Sequence, residues 1–149
     1  MASIPCCSDR RAILGAVAGM QAVYYRDRHG REPVSDFIDV LPAEVQASLD
    51  NQIGRLNMLG PDDPPLPFPH SSQVEGELRE LRCHHGRRLF RVLYRRSQRL
   101  FVLLHIFEKT TGPIPEAEKR VARDRWADFR ARMDQQPRRP PRAAGRDAP

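Results

Sequence analysis

The sequence predicts an α+β fold, a small antiparallel sheet with two helices before it and one helix after it. Apolar residues recur at helical spacing over residues 33–60 and again over residues 116–133. Between them, residues 88–96 put Phe90, Val92 and Tyr94 on one side of a strand and a mixed set on the other. Residues 100–107 are almost continuously apolar, as expected of a strand buried on both faces. Helices on one face of a sheet are the expected arrangement for this order of elements.

Length and composition are those of one globular domain. The chain has 149 residues, 40% of them hydrophobic and 30% charged, which is too apolar for a wholly disordered chain. No apolar run approaches the roughly 18 residues that a membrane-spanning helix needs. We expect the domain at residues 20–134. It lies between a poorly ordered extension at 1–19, with Met20 as an alternative start, and a disordered basic tail at 135–149.

The first part of the domain is predicted as a strand followed by two helices. Residues 21–25 are mostly apolar and predict the strand, and Pro33 opens a helix that ends near Leu41. Pro42 fits the first turn of a second helix, which Gly60 is placed to end. Five prolines in residues 61–69 then predict an extended loop.

The second part is predicted as a three-stranded meander and a helix. The strands are expected at residues 77–83, 88–96 and 100–107. On the helix that follows, the apolar side chains that share one side are Ala122, Trp126, Phe129 and Met133.

Charge is distributed unevenly along the chain. Residues 20–78 hold 4 arginines and 10 acids, whereas residues 79–99 hold 8 arginines and one acid, Glu80. A short, strongly basic stretch indicates a polyanionic partner, most commonly nucleic acid. The candidate RNA contacts in it are Arg79, Arg87, Arg88 and Arg95. The alternative is an arginine-coated hairpin that the acidic segment of the same chain neutralises.

Cysteine usage and missing motifs exclude several functions. Cys6, Cys7 and Cys83 are an odd number without regular spacing, which favours a reducing compartment over a disulfide framework. A zinc site that joined them to His84 and His85 would lack the usual C-x₂-C pair. The chain has no phosphate-binding P-loop, G-x-S-x-G elbow or H-E-x-x-H helix, and we predict neither a metal nor a cofactor.

The candidate catalytic residues are four cationic side chains on the predicted strands: Arg82, Arg91, His105 and Lys109. Fixed positive charge can bind a phosphodiester and stabilise the charge that builds on it during cleavage. RNA supplies its own nucleophile, the 2′-hydroxyl. Each residue also has a structural explanation: ion pairs for the arginines, a hydrogen-bonded core position for His105 and a solvated strand end for Lys109.

Four motifs follow one another in a set order: Gly30–Val34 with Phe37 and Leu41 after it, Leu78–Arg82, Arg91–Tyr94 and Leu103–Thr110. In this combination, residues 20–130 resemble the RelE/HigB-like toxins of bacterial type II toxin–antitoxin systems, in particular the branch related to phage proteins. One position departs from the resemblance, because that family commonly has two consecutive basic residues where this chain has Lys109 and Thr110.

The resemblance implies a cytoplasmic, ribosome-dependent endoribonuclease that cleaves mRNA in the aminoacyl site. It also implies an antitoxin partner with a helix-turn-helix domain. By motif match, Arg82 and Arg91 would clamp the phosphate, Lys109 would stabilise the developing anion or transfer a proton, and His105 would act as acid or base.

Two other functions stay open at this point. ParE-like toxins share the fold but poison DNA gyrase without cutting RNA. A basic RNA-binding protein without catalytic activity would show the same charge pattern. The arginine-rich strands together with Lys109 favour RNA cleavage over gyrase binding.

Overall fold

The computed structural model describes residues 19–133 and 140–146. Its elements follow in the order β1 (Gln21–Tyr24), α1 (Pro33–Asp39), α2 (Ala43–Asn57), β2 (Ser71–Glu75), β3 (Leu78–His85), β4 (Arg88–Ser97), β5 (Leu100–Glu108) and α3 (Glu116–Met133). The predicted α+β class, with two helices before the antiparallel strands and one after them, is confirmed. Residues 1–18, which make up nearly all of the predicted extension, lie outside the described range.

The strands form one mixed sheet in the order β1-β5-β4-β3-β2. β2 to β5 pair antiparallel, whereas β1 lies parallel to β5 with Val23 opposite Val102. The sequence prediction missed β2. Its residues, Ser71–Glu75, are mostly polar, and this edge strand is defined by its backbone pairing with β3 rather than by an apolar face.

Helices cover both faces of the sheet, so the prediction of helices on one face is wrong. On one side, here called the α1/α2 face, Leu49 and Ile53 of α2 pack with Phe90 of β4 in one core. On the other, the α3 face, Ala122 and Phe129 of α3 pack in a second core. The physical reason is that β4 and β5 carry apolar side chains on both faces, and each face must be removed from water.

Prolines stand at the starts of the first two helices, Pro33 within the first turn of α1 as predicted and Pro42 one residue before the first turn of α2. The buried stripe of α2 consists of Val45, Leu49, Ile53 and Leu56. Within the described ranges, no helix is long and apolar enough to cross a membrane.

Residues 140–146 run along the free edge of β1. The Tyr24 amide donates to the Arg142 carbonyl (2.8 Å), and the Ala144 amide donates to the Ala22 carbonyl (2.7 Å). Ala144 is buried in the core of the α1/α2 face. The sequence did not predict this pairing, because backbone pairing with an open strand edge leaves no signal in composition.

Candidate active site

Strand register places three of the candidate catalytic residues close together at one end of the α3 face. Arg82 of β3 lies opposite Arg91 of β4, which lies opposite Phe107 of β5. Lys109 follows β5 directly, and its amide donates to the Leu89 carbonyl (3.1 Å). The sheet therefore brings Arg82, Arg91 and Lys109 to neighbouring positions although the first and last lie 27 positions apart in the sequence.

One acid lies between the two arginines. Glu80 Oε1 is 3.7 Å from Arg82 Nη1 and also 3.7 Å from Arg91 Nε. The second carboxylate oxygen accepts a hydrogen bond from Ser72 Oγ (3.0 Å). We call Arg82, Arg91 and Lys109, with Glu80, the cationic cluster. Its formal charge is positive because it contains three cations and one carboxylate.

The loop after β5 closes the cluster from one side. Arg91 Nη1 donates to the Gly112 carbonyl (3.0 Å). Gly112 has a φ of +83°, and a Cβ built on it would lie 3.7 Å from Lys109 Cε. Glycine adopts this backbone conformation without strain, so Gly112 lets the loop approach Arg91 and Lys109 together.

Three buried polar atoms of the cluster make no hydrogen bond among the described residues: Glu80 Oε1, Arg82 Nε and Arg91 Nε. Most buried polar atoms in folded proteins are hydrogen-bonded, so this concentration marks the place as unusual. Arg91 is almost wholly buried, whereas the Arg82 side chain is 18% exposed. Of the two arginines, Arg82 is therefore the one that an external ligand can reach.

His105 is bound to α3 rather than to the cationic cluster. Its Nε2 lies 2.7 Å from Glu118 Oε1, and its Nδ1 lies 3.3 Å from Arg125 Nη1. Arginine can only donate hydrogen bonds, so Nδ1 accepts from Arg125. Nε2 therefore carries the hydrogen and donates it in a hydrogen bond to the Glu118 carboxylate. Burial lowers the pKa of His105. The charge of Arg125 lowers this pKa further, whereas the Glu118 carboxylate raises it. The geometry is that of a neutral imidazole holding α3 against β5.

Two of the predicted RNA contacts lie on the opposite face of the sheet. Arg79 Nε donates to Ser71 Oγ (3.3 Å) under the proline loop. Arg88 pairs with Glu108 (2.8 Å), and its guanidinium lies 4.8 Å from the centre of the Phe90 ring. The structure therefore separates Arg79 and Arg88 from the cationic cluster.

The other two predicted RNA contacts lie at different ends of the domain. Arg87 is exposed in the turn between β3 and β4, at the end of the sheet where Lys109 lies. Arg95 lies over the Trp126 ring of α3 (4.6 Å to its centre) and pairs with Glu77 (3.3 Å). The four arginines therefore do not form one continuous surface.

The cysteine prediction is only partly within the described range. The Cys83 thiol is free and buried, and burial raises its pKa. Cys6 and Cys7 lie outside the described residues. Among residues 19–133 and 140–146, no three His, Cys, Asp or Glu side chains are grouped so as to hold a metal ion.

The sequence also matches a known protein family. The family model for phage-derived proteins similar to Gp49 (DUF891) matches residues 36–127, more than half of the chain. The chain belongs to the Gp49-like family. This is a toxin-like family related to toxins of the RelE/HigB type, for which an antitoxin is the expected partner. No curated protein matches the sequence at a significant level.

The matched range of this Gp49-like protein contains all four candidate catalytic residues. The sequence marked Glu80 only as the single acid of the basic stretch, and it was not among the predicted site residues. The signal was present in the strand pattern, because residues at positions 80 and 82 of one strand point to the same face. What the sequence did not show was that Arg91 of the next strand shares that carboxylate.

Proposed function

We propose that this Gp49-like protein is the toxin of a type II toxin–antitoxin pair and an endoribonuclease that cleaves mRNA on the ribosome. The supporting observation is the cationic cluster, in which Arg82 and Arg91 share the carboxylate of Glu80 and Lys109 lies beside the Gly112 loop that Arg91 contacts. A phosphodiester oxygen is an acceptor of the size and charge that suits the partly exposed cations of this cluster, Arg82 and Lys109.

The proposed reaction uses the nucleophile of the RNA itself. The 2′-oxygen attacks phosphorus and loses its proton to solvent water. The bond from phosphorus to the 5′-oxygen breaks, and that oxygen gains a proton from Lys109, which solvent then reprotonates. The products are a 2′,3′-cyclic phosphate and a 5′-hydroxyl end. Negative charge on the phosphate oxygens rises in the transition state, so fixed cations stabilise that state more than they stabilise bound RNA.

We base the role of each residue in the proposed reaction on how far solvent can reach it. Arg82 and Lys109, which are half-buried, would contact the phosphate oxygens, and Lys109 would also donate a proton to the leaving 5′-oxygen. Arg91 is buried against Gly112, so it would add positive charge behind Arg82 and Lys109 without contacting the RNA. His105 would be a positioning residue for α3 rather than the acid or base. Of the predicted RNA contacts, exposed Arg87 lies nearest to this end of the sheet.

Transcript-end mapping tests the proposal. The protein is induced in a bacterial host without its antitoxin, and 5′-hydroxyl RNA ends are captured by selective ligation. We expect new ends at fixed positions within codons for the unaltered protein and for Arg55→Ala, whose side chain is exposed on α2, on the other face of the sheet. Arg82→Ala and Lys109→Ala should produce few such ends. Intact transcripts together with DNA breaks would instead assign the ParE-like action on gyrase.

A further inference from the structure

Phe68 is an exposed aromatic side chain in the loop that joins α2 to β2. It is 70% exposed, and its neighbours in sequence are Pro67 and Pro69. Exposure of one apolar residue is common in proteins and needs no explanation by itself. The position of this ring relative to the cationic cluster is what gives it meaning.

The backbone around Phe68 is held in place from both sides. The Pro67 carbonyl accepts hydrogen bonds from the amides of His70 (2.9 Å) and Ser71 (3.2 Å). The His70 carbonyl in turn accepts from the Arg82 amide (2.8 Å), which ties the end of the loop to β3. The prolines restrict the remaining backbone angles, so the ring is held beside β3.

The ring lies against a residue of the candidate site. The guanidinium carbon of Arg82 is 5.5 Å from the centre of the Phe68 ring. Such a contact is a cation–π interaction, and it also orients the guanidinium relative to the ring plane. Phe68 therefore extends the cationic cluster with an apolar, planar surface that faces solvent.

The other exposed large apolar side chains differ from Phe68 in chemistry and in position. Among the described residues these are Val40 and Met58, which lie at the C-terminal ends of α1 and α2. Neither is aromatic. Phe68 is thus an exposed aromatic ring in contact with Arg82, a residue proposed to bind phosphate.

We propose that Phe68 is the stacking platform for a nucleobase of single-stranded RNA, next to the phosphate that Arg82 holds. This inference rests on the proposed function and deepens it by naming a subsite. A base stacks on an aromatic side chain whatever its sequence, because every base has a π face, and arginine beside the ring adds to the attraction. Phe68 would fix the position of the nucleotide along the cluster, while the cations act on its phosphate.

The test uses ribosomes programmed with an mRNA that cannot be cleaved. Its aminoacyl-site codon carries 2′-deoxyriboses and the fluorescent base 2-aminopurine, placed at each codon position in turn. Stacking on an aromatic ring quenches this fluorophore. We expect the unaltered protein, Phe68→Tyr and Phe68→Trp to quench the signal at one position. Phe68→Leu should abolish the quench and weaken binding to the programmed ribosome about 10-fold to 100-fold. Val40→Ala, which changes another exposed apolar residue, should behave as the unaltered protein does.

Leucine keeps the bulk and apolar character of position 68 but lacks a ring, so its variant separates stacking from general apolar contact. A quench and an affinity equal to those of the unaltered protein in Phe68→Leu would overturn the inference. So would a normal quench combined with loss of antitoxin binding, which would make Phe68 an anchor for a protein partner. A parallel reaction with the ordinary 2′-hydroxyl mRNA decides the proposed function independently. Cleavage by the unaltered protein without any quench refutes the Phe68 subsite alone, and absence of cleavage refutes the nuclease proposal.

Discussion

Glu80 and Arg91 lie on adjacent strands with the carboxylate Oε1 3.7 Å from the guanidinium Nε, and both residues are buried. The same oxygen lies 3.7 Å from Arg82 Nη1, so one carboxylate serves two guanidinium groups. Burying arginine is costly unless an opposite charge is close. Glu80 therefore makes it possible to hold two cations side by side at this end of the sheet.

Replacing Glu80 by glutamine should destabilise the fold strongly. Loss of one partner leaves buried charge uncompensated, and the expected cost is about 3–5 kcal/mol in the free energy of unfolding. Urea denaturation followed by circular dichroism measures it. Glu77→Gln is the matched control, because Glu77 is mostly exposed in its pair with Arg95, where about 0–1 kcal/mol is expected. Equal stability of the two variants would show that Glu80 does not hold the arginines.

Arg82→Ala and Arg91→Ala should differ in stability although both lose activity. Arg82 is partly exposed, so its variant should fold and lose about 10²–10³ in cleavage rate on programmed ribosomes. Arg91 is buried between Glu80 and Gly112, so its variant should also melt well below the parent. Thermal unfolding and single-turnover cleavage separate the two effects. A folded Arg82→Ala protein that cleaves at the parent rate contradicts the phosphate-binding role.

His105→Gln should remove part of the dependence of stability on pH. Burial lowers the folded-state pKa of His105 from its ordinary value of 6.5, so the unfolded chain binds a proton at a higher pH than the folded protein does. Stability from this residue is complete above pH 6.5 and is lost as pH falls through the folded-state pKa. Urea midpoints from pH 8 down to about pH 5 should fall more steeply for the parent than for His105→Gln. His84→Asn, a change at an exposed histidine, should leave the slope unchanged.

Gly145→Ala should destabilise the attachment of the C-terminal segment. Gly145 has a φ of +97°, and a Cβ there would lie 2.6 Å from Asn57 Nδ2 and 3.2 Å from the Gly54 backbone nitrogen. Gly30→Ala is the matched control, since Gly30 also has a positive φ but no atom within 4 Å of a built Cβ. Backbone strain alone costs about 1–2 kcal/mol. Hydrogen exchange at the Tyr24 and Ala144 amides should accelerate in Gly145→Ala and stay slow in Gly30→Ala.

The sequence alone was sufficient to predict those helices and strands in which the spacing of apolar side chains matches a buried face. The stripe Val45, Leu49, Ile53 and Leu56 predicted α2, and the apolar run of β5 predicted a strand buried on both sides. β2 and residues 140–146 escaped prediction for a shared reason. Both are placed by backbone hydrogen bonds to a neighbouring strand edge, and such bonds form with almost any side chain.

For the candidate site, the sequence determined which residue types were present and the tertiary structure decided which of them meet. Positive charge on the predicted strands selected Arg82, Arg91, Lys109 and His105, but strand register grouped the first three and hydrogen bonds to α3 separated His105. The contacts of Glu80 with Arg91 and of Phe68 with Arg82 join different strands and loops. Periodicity along a chain reports which face a side chain occupies, whereas its neighbours across the sheet depend on how the strands are ordered and aligned.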